Sequence, residues 1–153
     1  LGFGEWLDRA LSESESELLT ERERKSLSAV TGQAEDADGT LRNLLADLRW
    51  QDDRTKSEAM RGPLLRLCSL YLLREKGLNN RAFDPVAHFH LSNGASMESL
   101  NWKADSSPRG LGNSAGIMIN YLYDLTRIED NHEAYTSTGK IKASSGLRGL
   151  LKG

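Results

Sequence analysis

Cysteine is all but missing from this chain: Cys68 is the single one among 153 residues. An intrachain disulfide and any site built from several thiolates are therefore excluded, a usage that fits a reducing compartment. No apolar run approaches the roughly 20 residues that cross a bilayer, and no secretory leader pattern opens the sequence. An excess of either charge is lacking too, since 20 Lys and Arg stand against 22 Asp and Glu, for a formal charge of -2. Neither nucleic acid nor a membrane is then an expected partner. The chain is long enough for one domain with its own core, and it is expected to be soluble and cytoplasmic. It opens on Leu1-Gly2-Phe3-Gly4-Glu5-Trp6-Leu7 without an initiator Met, which reads as a piece cut from a longer protein.

Helical spacing dominates the first half. Trp6, Leu7 and Leu11 form one apolar stripe, and Leu18, Leu19 and Leu27 a second, within a charged stretch from Glu5 to Val30 that breaks near Ser12. Ser12-x-x-Glu15 and Ser14-x-x-Glu17 are candidate capping boxes there. Thr31 to Gly39 reads as a loop, after which Leu41, Leu44, Leu45 and Leu48 recur at helical spacing up to Trp50. Gly62-Pro63 then interrupts or restarts a helix. Beyond it, Leu64, Leu67, Cys68, Tyr71 and Leu72 share one face, which Leu65, Leu70 and Leu73 widen, so this helix is expected to be nearly all buried. Cys68 lies on that stripe and reads as a packing residue.

The stretch Asp84-Pro85-Val86-Ala87-His88-Phe89-His90-Leu91-Ser92-Asn93-Gly94-Ala95 reads as a strand running into a turn. Alternation would put Val86, His88 and His90 on one face and leave Phe89 and Leu91 to anchor the other in the core. Glu98 to Ala104 is the expected returning strand, with a bulge or longer loop and an open register. Asp105 to Gly112 reads as loop. A helix follows, with Ala115, Met118, Ile119 and Leu122 on its apolar face, Asn113 or Ser114 as its cap, and an end near Tyr135. Thr136 to Gly139 is a turn, and Ser144 to Lys152 a last short helix. Helices and strands mix without βαβ alternation, so the fold class is α+β.

Two imidazoles on one face admit two chemistries. His90 can serve as a proton-transfer group, whereas His88-x-His90 could join Asp84, Asp105 or His132 around a metal. No further ligand stands at a recognisable spacing, so no metal is expected. Arg109-Gly110-Leu111-Gly112-Asn113-Ser114 offers a glycine-rich approach to a helix, which suits a phosphate or simply a helix entry; the helix entry is preferred. Ser114 has no nucleophile elbow around it and reads as a cap.

The blocks Asp84 to Ala95, Leu100-Asn101-Trp102-Lys103-Ala104-Asp105, Gly110, Ser114-Ala115-Gly116-Ile117-Met118 and Asn120-Tyr121-Leu122-Tyr123 carry a more specific signal. In order and spacing they closely resemble malonyl-CoA decarboxylase, and the likeness runs from Leu1 to the C-terminus. The resemblance implies the C-terminal half of a GNAT-type acyl-CoA acyltransferase fold with an inserted helical region. Residues 1–83 would be the helical part of the catalytic domain, and 84–153 the strand-hairpin-helix part that carries the catalytic histidine. It implies conversion of malonyl-CoA to acetyl-CoA and carbon dioxide without a cofactor. His90 matches the family's proton donor, and Tyr123 a tyrosine that supports it. Asn93 is a candidate substrate contact, although turn chemistry alone accounts for it. The family's serine and its CoA loop precede the residues that match Leu1 to Leu7, so the chain alone is expected to be inactive. The full-length protein is expected to form a homo-oligomer.

Such a reaction suits one imidazole. Loss of carbon dioxide leaves a carbanion that the thioester carbonyl delocalises as an enolate, so the substrate supplies its own electron sink. A proton donor must then complete the acetyl group. The ending Leu150-Leu151-Lys152-Gly153 is not a Ser-Lys-Leu peroxisomal address, in keeping with the cytoplasmic expectation. A different acyl-CoA reaction on the same fold, and a non-catalytic CoA-binding module, are the rival readings.

Overall fold

The computed structural model describes residues 2–13, 18–33 and 36–152. The element order is α1 (Phe3–Ser12), α2 (Glu21–Thr31), α3 (Ala37–Ala46), α4 (Arg54–Arg74), α5 (Pro85–Ser92), β1 (Ser96–Asn101), α6 (Pro108–Ser114), β2 (Met118–Leu122), α7 (Ile128–Thr138) and α8 (Ser145–Gly149). Helices thus pack around one two-stranded antiparallel sheet, and the class is α+β as expected.

The break near Ser12 is present as the end of α1. Both candidate capping boxes include residues outside the described ones. The box that starts α2 is Thr20 with Glu23: the Glu23 amide donates to the Thr20 hydroxyl, and the Thr20 amide to the Glu23 carboxylate. Glu23 has a second task. Its oxygens receive Nε and an Nη of Arg66 on α4, both at 2.8 Å, and Arg66 also donates to the Leu18 carbonyl. Both side chains of this ion pair are about nine-tenths buried, so it fixes α2 against α4.

The central helix α4 supplies more of the core than any other element. Leu64, Leu67, Cys68 and Leu72 are fully buried and Tyr71 nearly so, as the apolar stripe requires. Contrary to expectation, Pro63 does not interrupt it: the helix runs through for 21 residues. The residue before the proline is Gly62, which has no Cβ to clash with the ring and so tolerates the helical region. Cys68 is a packing residue, and burial pushes its thiol pKa up.

Four expectations in the second half are corrected. Residues 85–92 form a helix, not a strand. Asp84 is its N-cap, accepting the Ala87 amide at 3.0 Å, and Pro85 occupies the first turn, where a missing N–H costs nothing. Asn93-Gly94 closes that helix and is not a hairpin turn: Gly94, at φ +87°, takes the left-handed conformation just past the end, and a Cβ there would run into Ile128 of α7. The loop expected over Asp105 to Gly112 holds the start of α6, capped by Ser107 and begun by Pro108. Finally, residues 118–122, expected to be helical, form β2. It pairs with β1 through a bulge between Met97 and Ser99, so an irregularity in the strand is present, but the pairing partner is β2. On its other side β1 is covered by residues 142–144: the Met97 amide donates to the Lys142 carbonyl, and the Ser144 amide to the Met97 carbonyl. The last short helix is α8.

Candidate active site

Helical geometry changes what the two histidines can do. Residues two apart on a helix point to nearly opposite sides, so His88 and His90 do not share a face. His88 turns toward α7, where its Nδ1 lies 2.7 Å from the Tyr135 hydroxyl. That hydroxyl also accepts the Ala82 amide at 2.9 Å, so the pair serves to pack α7 against the start of α5. His132 sits apart, its Nδ1 2.6 Å from the Ser92 carbonyl. The paired-imidazole metal reading is thereby corrected, and among the described residues no cluster of three His, Cys, Asp or Glu could hold a metal ion.

His90 faces the opposite way, toward β2. Along a strand residues 119, 121 and 123 share a side, and the sheet presents Tyr121 and Tyr123 to α5. The His90 imidazole stacks on the Tyr121 ring, with centroids 4.1 Å apart and planes 21° from parallel. Its Nδ1 lies 2.6 Å from the Tyr123 hydroxyl. Two contacts therefore fix both the plane and the rotation of the ring. The other ring nitrogen, Nε2, has no hydrogen-bond partner among the described residues. The structure thus brings His90 and Tyr123 together. Asn93 stands elsewhere: it is the C-cap of α5, its Nδ2 donating to the Phe89 carbonyl at 3.0 Å.

Tyr121 was not singled out by sequence reading. The available signal was its i, i+2 relation to Tyr123, which points two phenols the same way only if the segment is a strand. Its hydroxyl is buried and has no hydrogen-bond partner among the described residues. Burial first, then the nearby Asp84 carboxylate, raises its pKa, so it stays a protonated donor.

The helix bearing His90 is anchored at its start. Asp84 is fully buried, and its carboxylate collects the Tyr71 hydroxyl at 2.7 Å, the Gly2 amide at 2.8 Å and the Ala87 amide at 3.0 Å. One side chain thus joins α4, the residue before α1 and α5. Burial raises the Tyr71 pKa, and its bond to Asp84 raises it further.

A cleft of about 310 Å³ opens beside His90. Val86, Ile117, Met118 and Ile119 give it apolar walls, while Tyr121, Asp105, Arg109 and Asn113 bring polar groups to it. A larger cavity of about 480 Å³ lies between α3 and the start of α4, around Asn43, Trp50 and Lys56. It contains none of the expected site residues, and size alone does not make it the site. The smaller cleft combines an oriented imidazole, an apolar wall and a cation, which is what proton transfer to a bound anion needs.

Residues 1–153 match the family model described as malonyl-CoA decarboxylase C-terminal domain. The mitochondrial malonyl-CoA decarboxylase of Anser anser anser is 41% identical over 148 residues, covering 94% of this chain and 29% of that protein. The mitochondrial enzyme of Rattus norvegicus is 39% identical, covering 98% of this chain and 31% of its own length. The crystal structure of malonyl-CoA decarboxylase from Rhodopseudomonas palustris superposes with a TM-score of 0.81 at 39% identity, over 97% of this chain and 31% of that one. This chain spans about 30% of the length of the curated relatives it matches. Their names also correct the cytoplasmic expectation, since the goose, rat and mouse proteins are all called mitochondrial. Matched over its full extent, the chain belongs to the malonyl-CoA decarboxylase C-terminal domain family.

Proposed function

We propose that this chain is the histidine-bearing part of a malonyl-CoA decarboxylase, a carboxy-lyase that converts malonyl-CoA to acetyl-CoA and carbon dioxide. The observation that carries the reading is the His90 imidazole, stacked on Tyr121 and bonded through Nδ1 to Tyr123 at 2.6 Å, at the edge of a cleft. His90 is the proton donor. It donates as the imidazolium: its Nε2 proton goes to the α-carbon of the enolate left when carbon dioxide departs, which leaves the neutral ring, and solvent restores the imidazolium. Tyr123 acts through His90: its hydroxyl, bonded to Nδ1, holds the ring with Nε2 free to deliver the proton. Asn93 contributes by closing the helix that carries His90.

No cofactor enters this scheme, because the thioester carbonyl accepts the electron pair. The apolar wall of the cleft favours loss of the carboxylate charge and shields the carbanion from stray protons. We further propose that residues 1–83 and 84–153 are two parts of one catalytic domain with a GNAT-type fold, completed by other segments of a homo-oligomeric protein. The two-stranded sheet is consistent with part of a larger one, and the chain's share of its relatives' length supports this.

Product analysis of the intact protein tests the reading. Incubated with malonyl-CoA and no acyl acceptor, it should give acetyl-CoA and carbon dioxide in equal amounts. Turnover only when an acyl acceptor is added would replace decarboxylation with acyl transfer, and CoA binding without turnover would leave a binding module.

A further inference from the structure

We propose that Arg109 recognises the free carboxylate of the acyl group in the His90 cleft, and so selects thioesters of dicarboxylic acids over those of simple acids. The inference rests on the decarboxylase reading and names a substrate contact within that site. Three ionisable side chains other than phenols line the cleft: His90, Asp105 and Arg109. His90 is engaged by Tyr121 and Tyr123. Asp105 is engaged as well, because one carboxylate oxygen accepts the Ser107 amide at 3.1 Å and the Ser107 hydroxyl at 2.7 Å. Those bonds lower its pKa and commit it to the turn that starts α6. Arg109 has no hydrogen bond or ion pair among the described residues, and it is exposed enough for a ligand to reach.

The local fold explains why it is placed there. Ser107 caps α6 through the Gly110 amide, and Gly110 is buried tightly against Asp105. Arg109 and Asn113, four residues apart on the helix, then share a face and both line the cleft. A guanidinium presents a planar fork of donors matched to a carboxylate. The apolar wall formed by Val86, Ile117, Met118 and Ile119 weakens dielectric screening, so the pairing is stronger than it would be in open water.

The chemistry assigns this contact a specific kinetic role. During decarboxylation negative charge leaves the carboxylate and moves to the thioester oxygen. A cation on the carboxylate therefore favours bound substrate at least as much as the transition state, and its contribution is to affinity and selection.

The test is binding and turnover by the intact protein carrying Arg109→Gln, with Arg109→Lys as the conservative variant. Malonyl-CoA, acetyl-CoA and CoA are titrated in parallel. The expected result is that Arg109→Gln weakens malonyl-CoA binding and raises KM by roughly 10- to 100-fold. Acetyl-CoA and CoA binding, and kcat, should change by less than about threefold, and Arg109→Lys should recover part of the loss. Equal weakening for all three ligands would overturn the proposal by making Arg109 a phosphate contact of the CoA moiety, and no weakening for any would overturn it outright. If the unaltered protein neither binds malonyl-CoA nor releases carbon dioxide, the decarboxylase reading itself falls and takes this inference with it.

Discussion

Tyr123 offers a single hydroxyl to His90, so Tyr123→Phe is the smallest change that reports on that imidazole. The account predicts that kcat in the intact protein falls about tenfold while KM barely moves, because the hold on the His90 ring is lost but the substrate contacts remain. Unchanged kcat would show that the 2.6 Å bond is incidental. Tyr71 makes a different residue-level prediction. Its folded pKa is raised above the ordinary value of 10.0, first by burial and then by donation to Asp84. A raised pKa means the folded state holds the proton more tightly than the unfolded chain does. That stability is complete below about pH 10 and is lost as pH rises further, by up to about 1.4 kcal/mol per pH unit for one group. Denaturant titrations above pH 10 should therefore show stability falling less steeply in Tyr71→Phe than in the parent. Equal slopes would contradict the assignment. At this scale the packing role of Cys68 was legible in the sequence, and His90 and Tyr123, picked out by resemblance, stand in contact. The sequence did not disclose Tyr121 or the three-donor role of Asp84, because those depend on which elements meet.

Among the elements, long regular patterns were legible and short ones were not. The stripe from Leu64 to Leu72 predicts the buried face of α4 because several helical turns repeat it. Val86 to Leu91 covers fewer than two turns, where alternation and helical spacing fit the same residues, and the strand reading prevailed. The deciding signals were at the ends: Asp84 before Pro85 starts a helix, and Asn93-Gly94 can close one as readily as it turns a hairpin. The reverse happened at β2. Ala115, Met118, Ile119 and Leu122 match helical spacing, but Ala115 and Gly116 both have positive φ, at 53° and 77°, and stop the chain before Ile117. Gly94 is where the end of α5 can be tested. Gly94→Ala should cost more than about 1 kcal/mol in stability, since it combines left-handed strain with a clash against Ile128. A neutral effect in a denaturant titration would mean that α5 and α7 are not packed as described.

Taken whole, the molecule ties a helical layer to a small sheet, and the candidate site lies where α5, α6 and β2 meet. The Glu23–Arg66 pair holds the helical layer together away from that site. Glu23→Ala should lower stability by about 3 kcal/mol, by leaving Arg66 buried and unpaired, while leaving the KM of the intact protein unchanged. A large rise in KM would show that the α2–α4 contact reaches the cleft. The central claim is that His90 supplies the proton that completes decarboxylation, and one measurement bears on it most directly. It is carbon dioxide release from malonyl-CoA by the intact protein, compared with His90→Ala of matched thermal stability. The account predicts release by the parent and a loss of roughly 100-fold or more in the variant. Release at an undiminished rate by His90→Ala would contradict it.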